Sequence, residues 1–574
     1  MRIERHRVDA SRVAEARDGF VNRIGRQVHS YSRAGLMTTT EWQLIADSFL
    51  DYLGALSTTR PDLDSAEAKA VLKDATEAAA GAVSFAAYYP VDGFHVFLDY
   101  PNFGMSYDRE HGLARDPRHL VTAREWLDAF CLAIVSDKVS HHGEAFGWAR
   151  QLMPDEPVTP ALELVDGFLA HYFEEGGSPD SADSADADSD SADSDSAGGA
   201  QPGLRALRAL TDGDRAAFDS ALLALLQDGP HGTRPAGLLP LVPIALAALG
   251  YRTHGWTPAV DTDYLPHALV TGFETPGPRV HGLGRDRRPD AVARLAAGPV
   301  DLDRPIPALP LSPDSEARFE QRVQRAITPK GGEPLDAWEL TGALRYQTWL
   351  LAARASESAD ATDAQLADLR LGSGLGAAAF RAALAEPGTE AEVTVDGRTL
   401  RFPASRCSDF GPAFWETALS YALITGSSED LEPLVLAGPT IAAEDRSPFA
   451  SYRTALHDHL RGADPLPATR RALEEVERSR EQGFLPPPVV LFSQLVEGDE
   501  SSFNLALLDA LEAHRDHHSV ADRATEAGAA LSLGVLALAC HARRSRGWSI
   551  RVRSPYLPPR LLTAAGAGAG AGAV

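Results

Sequence analysis

Three groups of histidines have side chains that could bind a metal ion or transfer protons. They are His141-His142-x-Glu144, His457-x-His459 and His517-His518. A zinc site needs three or four converging ligands, and neighbouring residues on a helix point about 100° apart, so one pair rarely chelates a metal. We therefore predict solvated or capping histidines, no metal site and no cofactor.

Two aspartates beside an aromatic residue could instead bind a basic partner. Asp261 and Asp263 come just before Tyr264. Paired carboxylates attract lysine and arginine side chains, whereas a tyrosine near a helix end usually packs into the core. The sequence therefore predicts partner binding at Asp261 and Asp263.

Motifs of common enzymes are missing from the sequence, which has no phosphate-binding loop, dinucleotide fingerprint, nucleophile elbow or zinc-binding histidine helix. The glycine-rich run from Leu371 to Gly376 lacks the dinucleotide-binding spacing and follows no predicted strand, so we interpret it as a helix break. We predict that the protein is not an enzyme. A hydrolase that uses the scattered histidines stays open as an alternative.

The elements that must position these side chains occur twice along the chain. Each copy has an aspartate suited to cap a helix, then a phenylalanine and leucines at helical spacing, then aromatic landmarks in the same order. The matched positions are Asp214 and Asp499, Phe218 and Phe503, Trp256 and Trp548, Tyr264 and Tyr556, and upstream Trp126 and Trp415. A recurrence this long indicates a duplicated domain and excludes a short solenoid repeat.

The candidate site residues are not part of the repeat. Asp261 and Asp263 correspond to Arg553 and Pro555, and His141 corresponds to Asp430. A duplicated fold can use one copy for support and the other for recognition, so we expect recognition in the first copy.

The repeat also sets the predicted domain organisation. The first copy spans 12–275 and contains a serine, alanine and aspartate stretch at 178–200, which cannot bury apolar surface and is expected to be disordered. A proline-, glycine- and arginine-rich linker is expected at 276–312, followed by the second copy at 313–563. A disordered glycine and alanine tail is expected at 564–574.

Hydrophobic periodicity predicts helices through most of each copy, as in the stripe from Trp42 to Leu56. Alternation around Asp396-Gly397 predicts a β-hairpin at 391–402, and a weaker version is expected from Tyr89 to Leu98. The predicted fold class is mainly α: a tandem duplication of an α-helical domain, each copy with a small β-hairpin.

Composition limits the compartment and the partners. The chain has 54 basic and 80 acidic residues and a formal net charge of −26, which repels nucleic acid and anionic membranes and attracts basic proteins. Three cysteines without a paired motif, and a start without an apolar signal core, favour the cytoplasm. The apolar stretches 236–250 and 529–540 are shorter than the roughly 20 residues of a membrane span and are interpreted as core helices.

Four segments resemble a known family. They are Met1–Asp9, Phe20–Val28, Tyr52–Leu56 and Phe94–Tyr100, all before residue 150. They resemble the actinobacterial members of the immunity protein 49 family, which is attributed to bacterial polymorphic toxin systems. The resemblance implies an α-helical, non-enzymatic antitoxin and carries over no site residues, and the aspartate-rich stretch departs from the family pattern.

The expected partner is therefore a protein toxin. A basic nuclease domain suits the acidic charge, because an acidic inhibitor can stand in for the phosphate backbone. A helical scaffold for protein–protein interactions stays open as a further alternative, and the sequence does not indicate the oligomeric state.

Overall fold

The two halves of the chain fold into separate helical units. The computed structural model describes residues 2–153, 159–174, 201–227, 232–273, 289–304, 312–329, 335–481 and 486–567. Helices make up 67 % of the structure, which confirms the mainly α class. The two compact units divide between Thr275 and Pro276. The stretch 178–200 that was expected to be disordered lies outside the described residues.

The described residues of the first unit form helices, one hairpin and one short parallel strand pair. Its elements in chain order are β1 (Arg2–Ile3), α1 (Ala10–Arg17), α2 (Phe20–Ala34), α3 (Thr39–Leu56), α4 (Ala66–Tyr88), β2 (Phe94–Leu98), β3 (Phe103–Tyr107), α5 (Ala123–Val135), α6 (Val139–Leu152), α7 (Pro160–Leu169), α8 (Pro202–Thr211), α9 (Arg215–Gln227), α10 (Leu241–His254), β4 (Asp261–Thr262) and α11 (His267–Thr271).

The second unit has the same plan. Its elements are α12 (Pro289–Ala297), β5 (Val300–Asp301), α13 (Pro313–Ala326), α14 (Glu339–Glu357), α15 (Asp363–Leu384), β6 (Glu390–Val395), β7 (Arg398–Pro403), α16 (Pro412–Thr425), α17 (Ser428–Glu444), α18 (Ala450–Leu460), α19 (Leu466–Glu481), α20 (Val489–Glu497), α21 (Glu500–His518), α22 (Leu533–Arg546), β8 (Val552–Arg553) and α23 (Pro559–Ala567).

Matching side-chain contacts inside the two units confirm the duplication. The indole N–H of Trp126 on α5 donates to the Phe146 carbonyl at 3.0 Å, and that of Trp415 on α16 donates to the Leu434 carbonyl at 2.8 Å. Both tryptophans are buried. The repeated tryptophan therefore joins the same pair of neighbouring helices in each unit.

An arginine contact repeats in the same way. Arg252 on α10 donates to the carbonyl oxygens of the last two residues of α5, at 2.6 and 2.9 Å. Arg544 on α22 donates to the matching carbonyl oxygens near the end of α16, at 2.8 and 3.0 Å. A cation at a helix C-terminus satisfies carbonyl groups that have no partner within the helix and interacts favourably with the helix dipole.

Each unit contains a hairpin, but the one predicted from Tyr89 to Leu98 was misplaced. Strands β6 and β7 pair around Asp396 and Gly397, as predicted. In the first unit β2 and β3 pair with Phe94 opposite Tyr107, so the turn lies between Leu98 and Phe103, and Asp92 and Gly93 precede the first strand. The Asp-Gly signal was local, whereas the pairing follows the strand that continues past it.

The predicted helix break at Leu371–Gly376 was also wrong. Helix α15 runs through this segment without interruption. A Cβ at Gly372 would collide with the Tyr421 ring, and one at Gly376 would collide with Ala418, both on α16. The glycines let two helices approach closely, and this packing offsets their low helix propensity of about 1 kcal/mol each.

Part of the predicted linker belongs to the second unit. Ala291 and Leu295 on α12 are buried in its core, and β5 pairs in parallel with β8. Strand β1 pairs with β4 in the first unit in the same way, so that unit also includes residues before its predicted start. A few apolar residues among prolines and arginines are too sparse to show periodicity in sequence.

Part of the predicted tail is helical as well. Residues 564–567 continue α23, and Ala565 is fully buried in the second unit. Residues 568–574 lie outside the described part of the chain. Alanine has the highest helix propensity, so a glycine and alanine segment can extend a helix when the core offers it a contact.

One stretch, Pro235–His254, is long and apolar enough to cross a membrane by length and composition. Of its most apolar 18 residues, 56 % are buried inside the unit. Every residue from Pro243 to Gly250 is buried. A core helix passes the same test of length and composition.

Gly54 offers a test of packing in the first unit. A Cβ at this position of α3 would collide with the backbone of Pro235, which cannot move aside as a flexible side chain can. We expect Gly54→Ala to destabilise the first unit by about 1–3 kcal/mol, measured by chemical denaturation. The matched control is Gly25→Ala on α2, where nothing lies within 4 Å, and we expect a gain of roughly 0.5–1 kcal/mol there. Equal effects at both positions would contradict this packing.

Candidate partner-binding sites in the first unit

Asp261 and Asp263 lie at the edge formed by β1 and β4. Both are exposed, and Asp261 Oδ2 lies 3.7 Å from Arg2 Nη1. The Arg5 guanidinium donates to the Asp263 carbonyl at 3.3 Å. Two arginines from the N-terminal segment therefore balance part of the acidic charge at this edge.

The second unit has the same ion pair with its charges exchanged. Asp301 on β5 accepts two hydrogen bonds, each 2.8 Å long, from Arg553 on β8. In the first unit the arginine is on the N-terminal strand and the aspartate on the later one. The charge difference between Asp261 and Arg553 is thus one half of a reversed pair, and sequence comparison of the later strand alone missed the compensating change.

A second candidate site lies where α4, α6 and β2 meet. It is a cavity of about 190 Å³. Its lining residues are Glu77, Gly81, Ser84, Tyr88, Phe94, His95, Val96, His141, His142, Glu144 and Ala145. The structure thus brings the predicted group of His141, His142 and Glu144 together with a carboxylate from another helix.

One face of helix α4 forms a wall of the cavity. Glu77, Gly81, Ser84 and Tyr88 follow one another on α4 at intervals of three or four residues and therefore share a face. The sequence analysis did not single out Glu77 on this alanine-rich helix. The signal that could have found it is the helical spacing of Glu77, Gly81 and Ser84, which places a carboxylate on the same face as two small residues.

The Glu77 carboxylate is largely buried and is charged. Its side chain is 15 % exposed, and its Oε2 lies 3.4 Å from Nε2 of His142. Burial alone would raise the pKa of Glu77, but contact with His142 and the nearby charges of Lys138 and His141 hold this pKa below its ordinary value. The cavity therefore contains a carboxylate at neutral pH.

The mouth of the cavity carries a second carboxylate. Glu144 is exposed, and its charge acts on Tyr88. Burial, followed by the charges of Glu144 and Asp92, raises the pKa of Tyr88, so its ring remains a neutral phenol. The arrangement combines two carboxylates with neutral aromatic surface.

The other predicted histidine groups are divided by the fold. His457 bonds to the Val435 carbonyl at 3.0 Å, whereas Nε2 of His459 lies 3.4 Å from Nε2 of His541 on another helix. The two members of the sequence pair therefore point to different neighbours.

His517 and His518 come close to a third possible ligand. Donor atoms of His517, His518 and Glu526 all lie within 4.8 Å of one another. A guanidinium N–H of Arg523 also contacts Nδ1 of His517 at 3.1 Å, and the Arg523 carbonyl lies 3.2 Å from Nδ1 of His518. A cation beside the histidine nitrogens opposes a metal ion, and the absence of a metal site stays a prediction.

The two units repeat one helical interior and differ in the charged groups at their surface, which defines a duplicated α-helical protein with diverged exposed sites. The family model of immunity protein 49 matches residues 62–269 and 356–561, one region in each unit and together well over half of the chain. The chain belongs to the immunity protein 49 family, and this membership implies a toxin as its partner. No curated protein and no solved structure matches it significantly.

Proposed function

We propose that this chain is a cytoplasmic, non-enzymatic immunity protein that binds a polymorphic toxin domain and blocks its activity. The observation that carries the proposal is the match to the immunity protein 49 family in both units. The net charge of −26 favours a basic toxin domain such as a nuclease, because opposite charge raises the association rate and disfavours acidic partners. The proposed partner is a protein, not nucleic acid or a membrane.

Co-expression tests the function directly. The chain should restore growth of cells that express a toxin domain encoded beside it. Failure against every neighbouring toxin would overturn the proposal. Titration of the purified toxin separates binding from catalysis, because a binder abolishes toxin activity at a fixed molar ratio. Complete neutralisation by a small fraction of an equivalent would show an enzyme instead.

Steering by the Asp261 and Asp263 edge is a further part of this proposal. Changing both aspartates to asparagine removes two negative charges and the ion pair of Asp261 with Arg2, and it keeps the backbone carbonyl of Asp263 that accepts from Arg5. We expect the association rate with a basic toxin to fall by about threefold to tenfold at low salt, with unchanged folding. Stopped-flow association at several salt concentrations measures this, since the Debye length falls from about 30 Å at 0.01 M salt to about 10 Å at 0.1 M.

A matched control keeps the same loss of charge. Asp396 and Glu432 are exposed on the second unit, and Asp396→Asn with Glu432→Gln also removes two negative charges. We expect this double variant to retain most of the association rate. Equal slowing in both double variants would show that net charge matters and the edge does not.

A further inference from the structure

The cavity bounded by α4, α6 and β2 has a chemistry that the family match does not explain. It holds the largely buried carboxylate of Glu77 and, at its mouth, the exposed carboxylate of Glu144. His142 compensates part of the Glu77 charge from 3.4 Å, and the Glu144 carboxylate adds a second negative charge to the same lining. A positively charged ligand would gain from both groups.

Aromatic surface lines the same space. The rings of Tyr88 and Phe94 lie with centroids 6.1 Å apart and planes tilted by 43°, so together they form a corner of the wall. Aromatic rings attract cations through their quadrupole, and the attraction is stronger where the cation is shielded from water. Carboxylates beside aromatic rings are the groups that recognise ammonium and guanidinium ions.

The volume of the cavity limits the size of the ligand that it can bind. The cavity volume of about 190 Å³ is below the roughly 300–1,000 Å³ of typical small-molecule sites. A single long side chain suits this volume better than a cofactor or nucleotide.

We propose that this cavity binds the ammonium or guanidinium end of one lysine or arginine side chain from a partner protein, with Glu77 at its base and Glu144 at its mouth. The choice of a protein as the source rests on the proposed immunity function. The cation chemistry rests on the cavity itself.

The second unit has a different arrangement at the matching place. Counted from the caps of α4 and α15, Ser65 and Thr362, the position of Glu77 is taken by Gly374. The neighbouring Ser373 hydroxyl donates at 2.7 Å to Asp430, the residue that corresponds to His141. The second unit thus has no carboxylate at the Glu77 position, and the difference places recognition of the cation in the first unit.

Two other ligand classes fit less well. An anion would be repelled by the negative charges of Glu77 and Glu144. A metal ion needs converging donors, and among the described residues the group that converges within 4.8 Å is His517, His518 and Glu526 in the second unit.

Blocked amino acids test the cation chemistry without a toxin. N-acetyl-arginine amide and N-acetyl-lysine amide should each bind to the full chain with a dissociation constant in the millimolar range. A dissociation constant of 1 mM corresponds to a binding free energy of about −4 kcal/mol. NMR signals of the histidine rings monitor the titration. N-acetyl-glutamine amide, which lacks the charge, should not bind. Equal binding of the glutamine probe, or Zn²⁺ that binds at this cavity and displaces the arginine probe, would overturn the inference.

Variants locate the site. Glu77→Gln keeps the shape of the side chain and should weaken binding of the arginine probe by about tenfold or more, and Glu144→Gln by a few-fold, because hydrogen bonds to an ionised group are about twice as strong as neutral ones. Glu144 is exposed, so its variant tests the site even if Glu77→Gln unfolds. Glu432→Gln, an exposed control on the second unit, should bind normally. Unchanged binding in both cavity variants would refute the site.

Two further arms separate the source of the cation from the proposed function. Spermidine binding more than tenfold tighter than the arginine probe would overturn the assignment to a partner side chain. Against a toxin that the wild type neutralises, Glu77→Gln should reduce affinity by at least about tenfold. A wild type that fails to neutralise would count against the function and leave the probe result standing, whereas full neutralisation by Glu77→Gln would count against the inference alone.

Discussion

Replacing Arg453 by methionine is expected to lower the free energy of unfolding of the second unit by about 3–5 kcal/mol. The Arg453 side chain is 7 % exposed and bonds to Glu416 at 2.7 Å and to Asp445 at 2.8 Å. The Asp445 side chain is itself only 1 % exposed. The substitution leaves the buried carboxylate of Asp445 and the half-buried carboxylate of Glu416 without their cation, and chemical denaturation followed in the second unit measures the loss.

Protonation of Glu416 and Asp445 should reduce the loss of stability in the Arg453→Met variant. Burial raises the pKa of Glu416, and the Arg453 charge opposes that rise. Burial also favours protonation of Asp445, but bonds from Arg453 and Ser447 hold its pKa below the ordinary value. Without Arg453 both carboxyl groups should take up protons more readily, so the gap between wild type and variant should narrow as the pH falls.

The control removes the unpaired charges as well. Adding Glu416→Gln and Asp445→Asn to Arg453→Met should recover most of the lost stability, because neutral groups cost less to bury than ions. An Arg453→Met loss below about 1 kcal/mol, or a triple variant no more stable than the single one, would contradict a buried ionic triad.

A second large effect is expected from the pH dependence of Asp74. Its carboxylate is fully buried under the hairpin of the first unit and accepts the backbone N–H groups of Asp99 at 3.1 Å and Tyr100 at 2.7 Å. Burial raises the pKa of Asp74 to about 7, against the opposing effect of these bonds and of Lys73. In the unfolded chain the ordinary value is about 3.9.

The direction in which stability changes with pH follows from proton uptake by Asp74 in the folded state. Between these two pKa values the folded state binds the proton that the unfolded state has lost, so the contribution of Asp74 to stability is complete below pH 4 and is lost as the pH rises through 7. About three pKa units correspond to roughly 4 kcal/mol. The stability advantage of the wild type over Asp74→Asn should shrink by that order between pH 4 and pH 8.

Denaturation of both proteins at several pH values measures the difference and cancels the titration of other groups. The variant also shows whether the paired backbone bonds matter, since an asparagine can accept only one of them without facing a donor. An advantage that is independent of pH, or that grows with pH, would contradict a raised pKa at Asp74.

Duplication separates what supports the fold from what recognises a partner. Trp126 and Trp415, and Arg252 and Arg544, make the same contacts in the two units. Exposed positions such as Asp261 and Arg553 differ between the two units, and substitutions at the surface usually cost little stability. Glu77 in the cavity of the first unit also has no carboxylate counterpart on α15 of the second unit.

The sequence by itself determined the helical class, the duplication and the family. Helix caps, apolar stripes and repeated aromatic residues are local features, and each acts within one or two turns of the chain. Asp214 and Asp499, predicted as caps, accept N–H groups of the helices they precede. The Asp396-Gly397 turn was predictable because both residues adopt the positive φ values that such a turn requires.

Only the tertiary structure decided the candidate sites. Glu77 and His142 are far apart in sequence, and the packing of α4 against α6 brings them within 3.4 Å. The ion-pair partner of Asp261 is Arg2, which lies at the opposite end of the first unit in sequence. The balance of charge around Asp261 could therefore not be assessed from its sequence neighbours. Periodicity reports which face of an element is buried, whereas a site depends on which distant faces meet, and that depends on the packing of the whole core.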